Sequence, residues 1–266
     1  MALWLDQLFL NAADALAERR PAATPNRAQL AAGRIISHRG ERDDRTVFEN
    51  TYAAFEPLRG SGVHGIELDV RWTRDLIPMV FHDVSLLRLF GDPSRIGDLR
   101  WTELQARRPE IPDLHTFVRR YVDEFHLMVE LKFEPWRDAA LQNRRLCEAL
   151  APALAAKRCH VLSLKPEMFR SLPGLPAAQT LGVGRLNTPE ISREALAAGR
   201  AGIATHYLGL RERYVQRHHA ANQVVGCGFP ASRAVLLWEI ARGVDYIFTN
   251  NAVRMERWRR ESLDCL

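Results

Sequence analysis

Short apolar runs alternate with stretches of helical periodicity along most of the chain. The short runs are rich in β-branched and aromatic residues and are bounded by turn-forming residues, which is typical of strands. Nine such runs follow one another from Arg34: RIISHR, GIELDV, PMVFHD, LMVELK, CHVLSL, QTLGVG, GIATHYL, QVVGCGF and DYIFTN. Helical spacing of apolar residues predicts helices over 49–59, 114–123, 138–156, 189–199, 232–242 and 252–260.

This order predicts repeated βα units around a parallel sheet, so we expect an α/β fold, a (β/α)8 TIM barrel, over residues 31–266. Nine strands are one more than such a barrel holds. The loop between GIELDV and PMVFHD is too short for a parallel crossover, so these two strands are predicted to form an antiparallel hairpin. Either this hairpin explains the surplus strand, or one of the weaker runs in the second half is not a strand.

Residues 1–30 are predicted to form an additional N-terminal amphipathic helix, over residues 3–19, followed by a linker at residues 21–26. The helix packs onto the barrel or, in the alternative, contacts a membrane surface or a second copy of the chain. The sequence leaves the oligomeric state open. Because Asp6 and Gln7 interrupt the apolar run, we expect neither a signal peptide nor a spanning helix, and we expect a cytoplasmic location.

Composition excludes several classes of protein. With 266 residues, of which 47% are hydrophobic, the chain can bury a core without disulfides. Its four cysteines lie far apart without a CxxC pair, which argues against a zinc site and a disulfide framework. The net charge of +5 comes from arginines spread over the predicted helices, and this dispersal argues against a nucleic-acid partner.

Ionisable residues stand at the ends of four of the predicted strands. Barrel strands are buried on both faces and normally read as continuous apolar runs, so charges in them need an explanation. In a (β/α)8 barrel the C-terminal ends of the strands meet at one rim, where catalytic groups lie. We therefore expect one shared site, formed by His38, Arg39, Glu67, Asp69, His82, Asp83, Glu130 and Lys132.

Glu67, Asp69 and Glu130 provide the oxygen ligands that a hard cation prefers. Glu67 and Asp69 share one face of their strand because side chains alternate along it. The sequence thus predicts one divalent cation, Mg²⁺ or Ca²⁺, with Mn²⁺ also tolerated. The alternative is that Glu67 and Glu130 only form salt bridges with Arg39 and Lys132.

His38 and His82 can act as a general acid and a general base, because imidazole titrates near neutral pH. Arg39 and Lys132 supply permanent positive charge that suits a phosphoryl group. Together these residues predict a phosphodiester substrate. Structural roles are predicted for the other histidines, which are His64, His115, His126, His160, His206, His218 and His219.

Six blocks of the sequence resemble, in order and spacing, the glycerophosphodiester phosphodiesterase family. They are ISHRG at 36–40, FENTYAAF at 48–55, GIELDVRWTRDLIPMVFHD at 65–83, IPDL at 111–114, VELK at 129–132 and GVDYIFTNNA at 243–252. The resemblance implies a TIM barrel that hydrolyses small-molecule glycerophosphodiesters to sn-glycerol 3-phosphate and an alcohol with a divalent cation. It implies that the glycerol hydroxyl attacks phosphorus to give a cyclic phosphate, which water then opens.

The resemblance also assigns the residues. It implies that Glu67, Asp69 and Glu130 are metal ligands, that His38 and His82 are the acid/base pair, and that Arg39 and Lys132 contact the phosphate. Glu49 and Asn50 match a further block, and we expect Asn50 to bond the loop after the first strand or to cap the following helix.

Two departures from the family pattern leave the leaving alcohol open. Gly228-Phe229-Pro230-Ala231 stands where WTVN is usual, and Thr249-Asn250 stands where TD is usual. Two alternative functions follow. One is a lysophospholipase D-like phosphodiesterase at a membrane surface, and the other is a catalytically inactive barrel used as a binding module, against which the intact histidines and carboxylates weigh.

Overall fold

Eight parallel strands close into a barrel in the part of the chain that the computed structural model describes, residues 23–185 and 187–266. β1 pairs with both β2 and β9, which closes the ring and confirms the predicted (β/α)8 barrel. The strands are β1 (Arg34–His38), β2 (Gly65–Trp72), β3 (Pro78–Val80), β4 (His126–Leu131), β5 (Cys159–Ser163), β6 (Thr180–Gly184), β7 (Gly202–His206), β8 (Val224–Gly228) and β9 (Tyr246–Thr249).

β3 is the surplus strand, and it lies outside the ring. It pairs antiparallel with the last three residues of β2, from Val70 opposite Val80 to Trp72 opposite Pro78. The first residues of β2 remain in parallel register with β1 and β4. The predicted hairpin is therefore confirmed, and it returns the chain to the rim, where the backbone N–H of Phe81 donates to the Asp69 carbonyl at 2.9 Å.

Helices cover the outside of the barrel. They are α1 (Arg27–Ala32), α2 (Tyr52–Phe55), α3 (Leu87–Phe90), α4 (Trp101–Arg107), α5 (Leu114–Tyr121), α6 (Ala139–Ala155), α7 (Thr188–Ala197), α8 (Glu212–Ala220), α9 (Arg233–Ala241) and α10 (Ala252–Asp264). The six predicted helices are present with shifted ends, whereas α1, α3, α4 and α8 were not predicted. β5 and β6 are joined by the 3₁₀ turns Pro166–Ser171 and Ala177–Gln179, where a barrel usually has an α-helix.

The predicted helix over residues 3–19 lies outside the described residues, and its contacts stay a prediction. The described chain joins the barrel at α1. Asn26 caps this helix by accepting from the Gln29 backbone N–H at 2.9 Å, and Leu30 is buried in the main core. The predicted division of the chain after residue 30 also stays a prediction. None of the described helices combines the length and the apolar character needed to cross a bilayer.

Side chains that point into the barrel form three layers. Strand alternation sends Ile66 and Leu68 outward against the helices, and sends Glu67 and Asp69 inward. The middle of the interior is an apolar cluster of Ile36, Met128, Leu162, Leu181, Ala204, Tyr246 and Phe248. Ionisable residues lie above it at the C-terminal ends of the strands, and His126 and His160 lie towards the N-terminal ends.

The insertion segment, residues 84–111, lies between the hairpin and α5 and contains α3 and α4. It has an apolar cluster of its own, to which the hairpin contributes Met79 and Phe81. Its buried members from the insertion segment are Leu86, Leu89, Ile96, Leu99, Leu104 and Ile111. This packing holds α3 next to the rim of the barrel.

Candidate active site

Three carboxylates meet at the mouth of the barrel, which is the rim formed by the C-terminal ends of the strands. Glu67, Asp69 and Glu130 each offer one oxygen, and these oxygens lie within 4.8 Å of one another. The β2–β4 register places Asp69 directly opposite Glu130, and Glu67 precedes Asp69 on the same inward face. The structure thus brings together the three residues from which the sequence predicted a cation site.

The carboxylates differ in their electrostatic environment. Burial and the neighbouring Asp69 raise the pKa of Glu67 well above its usual range. Burial also opposes ionisation of Asp69, but Arg39 and Lys132 outweigh it and hold the pKa of Asp69 well below its usual range. Glu67 Oε2 is buried and has no hydrogen-bond partner among the described residues. A buried acceptor beside two further carboxylates fits a divalent cation, so the donor set is suited to one.

Arg39 and Lys132 both pair with Asp69. Arg39 Nε lies 2.8 Å from Oδ2 and Lys132 Nζ lies 2.6 Å from Oδ1, and Lys132 also pairs with Glu130. The salt-bridge alternative therefore holds for Lys132 and Glu130, whereas the contacts of Arg39 go to Asp69 and Glu49 and not to Glu67. Contact of the two basic residues with phosphate stays a prediction.

His38 projects from the end of β1 towards Glu67, with Nε2 and Oε2 3.8 Å apart. Its Nδ1 lies 2.8 Å from Asn250 Oδ1, an atom to which Arg42 also donates at 3.2 Å. Since arginine can only donate, this atom is an acceptor, and His38 Nδ1 therefore carries the proton. Burial, with Arg39 and Arg42 nearby, lowers the pKa of His38 well below its usual value.

His82 follows the hairpin and is more exposed than His38. Its Nδ1 lies 2.6 Å from Asp83 Oδ1. Burial opposes ionisation of Asp83, but hydrogen bonds from His82 and Arg88 lower its pKa, so the carboxylate can only accept. His82 Nδ1 therefore carries the proton and Nε2 is left for other partners, as in His38.

A cavity of about 290 Å³ is lined by Arg42, Phe229 and Asn250, three residues that contact His38. One wall is Phe229-Pro230-Ala231, and the ring of Phe229 meets the His38 imidazole edge to face at 4.6 Å. Thr249 Oγ1 donates to the Pro230 carbonyl at 2.9 Å and so fixes this wall to β9. The segment that departs from the family pattern thus lines the space next to a candidate catalytic residue.

Glu49 and Asn50 support the site from beneath. Asn50 Nδ2 donates to Asp69 Oδ2 at 2.9 Å, and the Asn50 backbone N–H donates to the Arg39 carbonyl at 3.1 Å. The expected bond from Asn50 to the loop after the first strand is thereby confirmed. The alternative, that Asn50 caps the following helix, is wrong, because the N-cap residue of α2 is Thr51. Glu49 is buried and contacts three arginines, Arg39, Arg42 and Arg88.

Sequence reasoning missed several contributors to the site. Arg42 and Asn250 fix His38, and Arg88 holds Asp83. The one available signal for Asn250 was that it replaces an aspartate in a family block. His206, assigned a structural role, lies at the end of β7 with its ring 6.4 Å from that of Phe229.

Residues 38–168 match the family model of the glycerophosphoryl diester phosphodiesterase family. Glycerophosphodiester phosphodiesterase 1 of Homo sapiens is 35% identical over 74 residues, which are 28% of this chain and 22% of the human protein. Lysophospholipase D GDPD1 of Rattus norvegicus is 39% identical over 71 residues, which are 27% of this chain and 22% of the rat protein. The chain thus spans about a fifth of the length of these relatives.

The fold is similar to that of solved phosphodiesterases. A structure of an Oleispira antarctica phosphodiesterase in complex with the product sn-glycerol-3-phosphate has a TM-score of 0.69 at 20% identity, covering 87% of this chain and 96% of that one. The glycerophosphodiester phosphodiesterase of Agrobacterium tumefaciens has a TM-score of 0.70 at 21% identity, covering 85% of this chain and 99% of that one. At these identities the similarity shows a shared barrel.

Proposed function

Because the chain belongs to the glycerophosphoryl diester phosphodiesterase family, we propose that it hydrolyses glycerophosphodiesters to sn-glycerol 3-phosphate and an alcohol. One observation carries this proposal: two histidines and two basic side chains surround three carboxylates at the mouth of one barrel. The product bound to the Oleispira phosphodiesterase, a protein of the same fold, supports a small glycerophosphodiester as substrate. A cytoplasmic location stays a prediction from the sequence.

In the proposed reaction, Nε2 of one histidine takes the proton of a glycerol hydroxyl as its oxygen bonds to phosphorus. The bond from phosphorus to the alcohol oxygen breaks, and the other histidine protonates that oxygen. Water then opens the cyclic phosphate to give sn-glycerol 3-phosphate. Asn250 and Asp83 each accept from an Nδ1–H, so both rings would use Nε2 for proton transfer. Nε2 is unprotonated on the histidine that acts as the base, and on the histidine that acts as the acid it carries the second proton of an imidazolium.

Glu67, Asp69 and Glu130 would hold the divalent cation, Mg²⁺ or Ca²⁺ with Mn²⁺ as a further option, and this cation would supply positive charge at the phosphoryl oxygens. Arg39 and Lys132 are proposed to contact the phosphate. Their ion pairs with Asp69 hold both side chains in place before a substrate arrives, which reduces the ordering that binding requires.

Release of glycerol 3-phosphate from a panel of glycerophosphodiesters tests the proposal. The protein is stripped with EDTA and reloaded separately with Mg²⁺, Ca²⁺ or Mn²⁺. We expect turnover with at least one cation and none in excess EDTA. An undiminished rate in EDTA would contradict the proposed chemistry, and failure of every diester with every cation would favour the inactive barrel.

A second candidate is a lysophospholipase D-like activity on a substrate that keeps an acyl chain. The observation that favours it is a set of large apolar side chains exposed after strand ends at the mouth: Val84, Phe133 and Leu208 lie on loops, and Leu87 is the first residue of α3. The similarity to the rat lysophospholipase D also supports it.

Turnover of glycerophosphocholine and of lysophosphatidylcholine separates the two candidates. Phe133→Ser should reduce only the lysophosphatidylcholine rate if the acyl chain contacts this side chain, and the exposed Trp101, in the insertion segment, offers Trp101→Ser as a control. Removing residues 1–22, which leaves Asn26 and α1 intact, tests the predicted membrane contact of residues 3–19. Equal effects on both substrates would argue against the second candidate.

A further inference from the structure

Four side chains form a continuous chain of charge-assisted contacts from His82 into the protein. His82 Nδ1 donates to Asp83 Oδ1 at 2.6 Å. Arg88 donates from Nε to Asp83 Oδ2 at 2.6 Å and from Nη2 to Oδ1 at 3.2 Å. The same Nη2 also donates to Glu49 Oε1. Asp83 is therefore held on two sides, by the imidazole and by a two-pronged guanidinium.

The far end of this chain is rigid. Glu49 is 2% exposed, and Arg39 and Arg42 bind it as well. Burial disfavours its charge, but the surrounding arginines outweigh this and lower the pKa of Glu49, so it stays an ionised anchor. Arg88 belongs to α3, which the buried neighbour Leu89 fixes in the apolar cluster of the insertion segment.

His82 has few other restraints on its ring. Its backbone carbonyl accepts from Arg71 Nε at 2.9 Å, which fixes the main chain but leaves side-chain rotation free. Among the described residues, Asp83 is the one hydrogen-bond and ion-pair partner of the His82 imidazole nitrogens. The direction of Nε2 therefore depends on where Asp83 is held, and that depends on Arg88.

We propose that Asp83 and Arg88 are positioning residues for His82, and that Arg88 acts only through Asp83. The inference rests on the proposed function, in which His82 transfers a proton through Nε2. Asp83 fixes the tautomer and the ring direction, and Arg88 fixes Asp83 against Glu49. The insertion segment thereby contributes to catalysis through Arg88, which reaches the reacting imidazole only by way of Asp83.

A double-mutant cycle tests this, with Asp83→Asn, Arg88→Gln, the double variant and Arg88→Lys. Each single variant should lower kcat about 10- to 100-fold, the range for loss of a supporting partner, with KM and cation affinity nearly unchanged. The double variant should be no slower than Asp83→Asn alone, because a residue that acts through Asp83 has nothing left to position. Arg88→Lys should recover part of the rate. Arg107→Gln, at an exposed arginine of the same segment that pairs with Asp92, is the control and should match wild type.

If the kcat losses of the two single variants multiply in the double variant, Arg88 acts by another route and the inference is overturned. Loss of cation affinity in Arg88→Gln, or a fall in its Tm that accounts for the lost rate, would reduce Arg88 to a structural role and overturn it as well. If wild type is inactive on every diester, the proposed function fails separately from this inference.

The ¹⁵N signals of the His82 imidazole then test the positioning contact without any activity. An Nδ1–H tautomer that is lost in Asp83→Asn and disturbed in Arg88→Gln supports the contact, and an unchanged tautomer contradicts it.

Discussion

The two candidate catalytic histidines share a tautomer but differ in the group that fixes it. His82 donates to a carboxylate and His38 to an amide oxygen. His82 therefore has an ionised partner and His38 a neutral one, so the two rings are not equivalent. This asymmetry follows from single side chains and would be lost by single substitutions.

Substituting either histidine should abolish turnover while the fold is kept. His38→Ala and His82→Ala each remove one proton-transfer group, for which we expect a loss of at least about 10² to 10⁴ in kcat. Steady-state kinetics measure the loss, and circular dichroism checks the fold. A residual rate above a few per cent of wild type in either variant would contradict the acid/base assignment.

The main effect of Glu67→Gln should be weaker binding of the divalent cation. The change keeps the shape of the side chain and removes its charge from the carboxylate cluster. Titration calorimetry with Mg²⁺ or Mn²⁺ should show at least about a tenfold weaker Kd. Glu148, an exposed residue of α6, provides Glu148→Gln as the matched control. Equal affinities for wild type and Glu67→Gln would exclude Glu67 as a ligand.

The candidate metal ligands and catalytic residues were easier to predict from the sequence than the side chains that they contact. Glu67, Asp69 and Glu130 were visible because charges interrupt strands that should be apolar. The contacts of Arg39 and Lys132 with Asp69 were not visible, because any of three neighbouring carboxylates could have accepted them. Such choices depend on side-chain packing, which has no periodicity along the chain.

Elements carry these side chains to the mouth, and the turn after β1 packs closely on a helix. Gly40 has φ +87°, and a Cβ there would lie 2.6 Å from Ala54 Cβ and 2.7 Å from the Ala54 carbonyl oxygen. The turn therefore packs directly on α2, and this contact fixes the direction in which His38 and Arg39 leave the strand.

Gly40→Ala should destabilise the protein by about 2–4 kcal/mol, of which about 1–2 kcal/mol comes from the left-handed backbone and the rest from overpacking. Gly60→Ala is the matched control, because Gly60 has φ +68° but nothing within 4 Å of its Cβ position. Urea denaturation compares the two. If Gly60→Ala costs as much as Gly40→Ala, the contact with α2 contributes nothing.

Strands were easier to predict than short helices. All nine apolar runs are strands, and the hairpin followed from the length of its loop. α8 was missed because its sequence ERYVQRHHA is mostly polar and buries only Tyr214, Val215 and His218. α3 has four residues, and it is held by the insertion-segment cluster more than by its own propensity.

The whole barrel is polar at both ends and apolar between them. At the end opposite the mouth, His126 Nε2 and His160 Nδ1 lie 2.8 Å apart, so one ring must donate and the other must accept. Burial, with His160 and His64 nearby, lowers the pKa of His126 to about 3, and burial with Arg34 nearby lowers that of His160 to about 4. Both rings are neutral in the folded protein.

Stability should therefore fall on mild acidification. Between about pH 6.5 and 4 the unfolded chain takes up protons that the folded one does not, so we expect a loss of about 2 kcal/mol for each ring, about 4 kcal/mol for the pair, from pH 7 to pH 5. Urea midpoints measured across this range should drop less steeply in His126→Asn/His160→Asn than in wild type. Substitution of the exposed His115 by Asn should keep the wild-type slope. If the urea midpoint of the double variant falls with pH as steeply as that of wild type, His126 and His160 are not the source of the pH dependence.

The fold of the whole molecule could be predicted because each strand and each long helix has its own local pattern. The layered interior followed from strand alternation. The histidine pair at the end of the barrel opposite the mouth could not be predicted, because His126 and His160 lie on different strands and only the β4–β5 register brings them together.

The contact between His38 and Asn250 joins residues 212 positions apart. During synthesis, Arg39, Asp69, Glu130 and Lys132 leave the ribosome long before β9 does, and their ion pairs can neutralise the acidic cluster in the nascent chain. His38 obtains its partner only when the last strand inserts. If the proposed function holds, a growing chain would thus stay catalytically silent until β9 completes the ring, and the onset of turnover would mark that insertion.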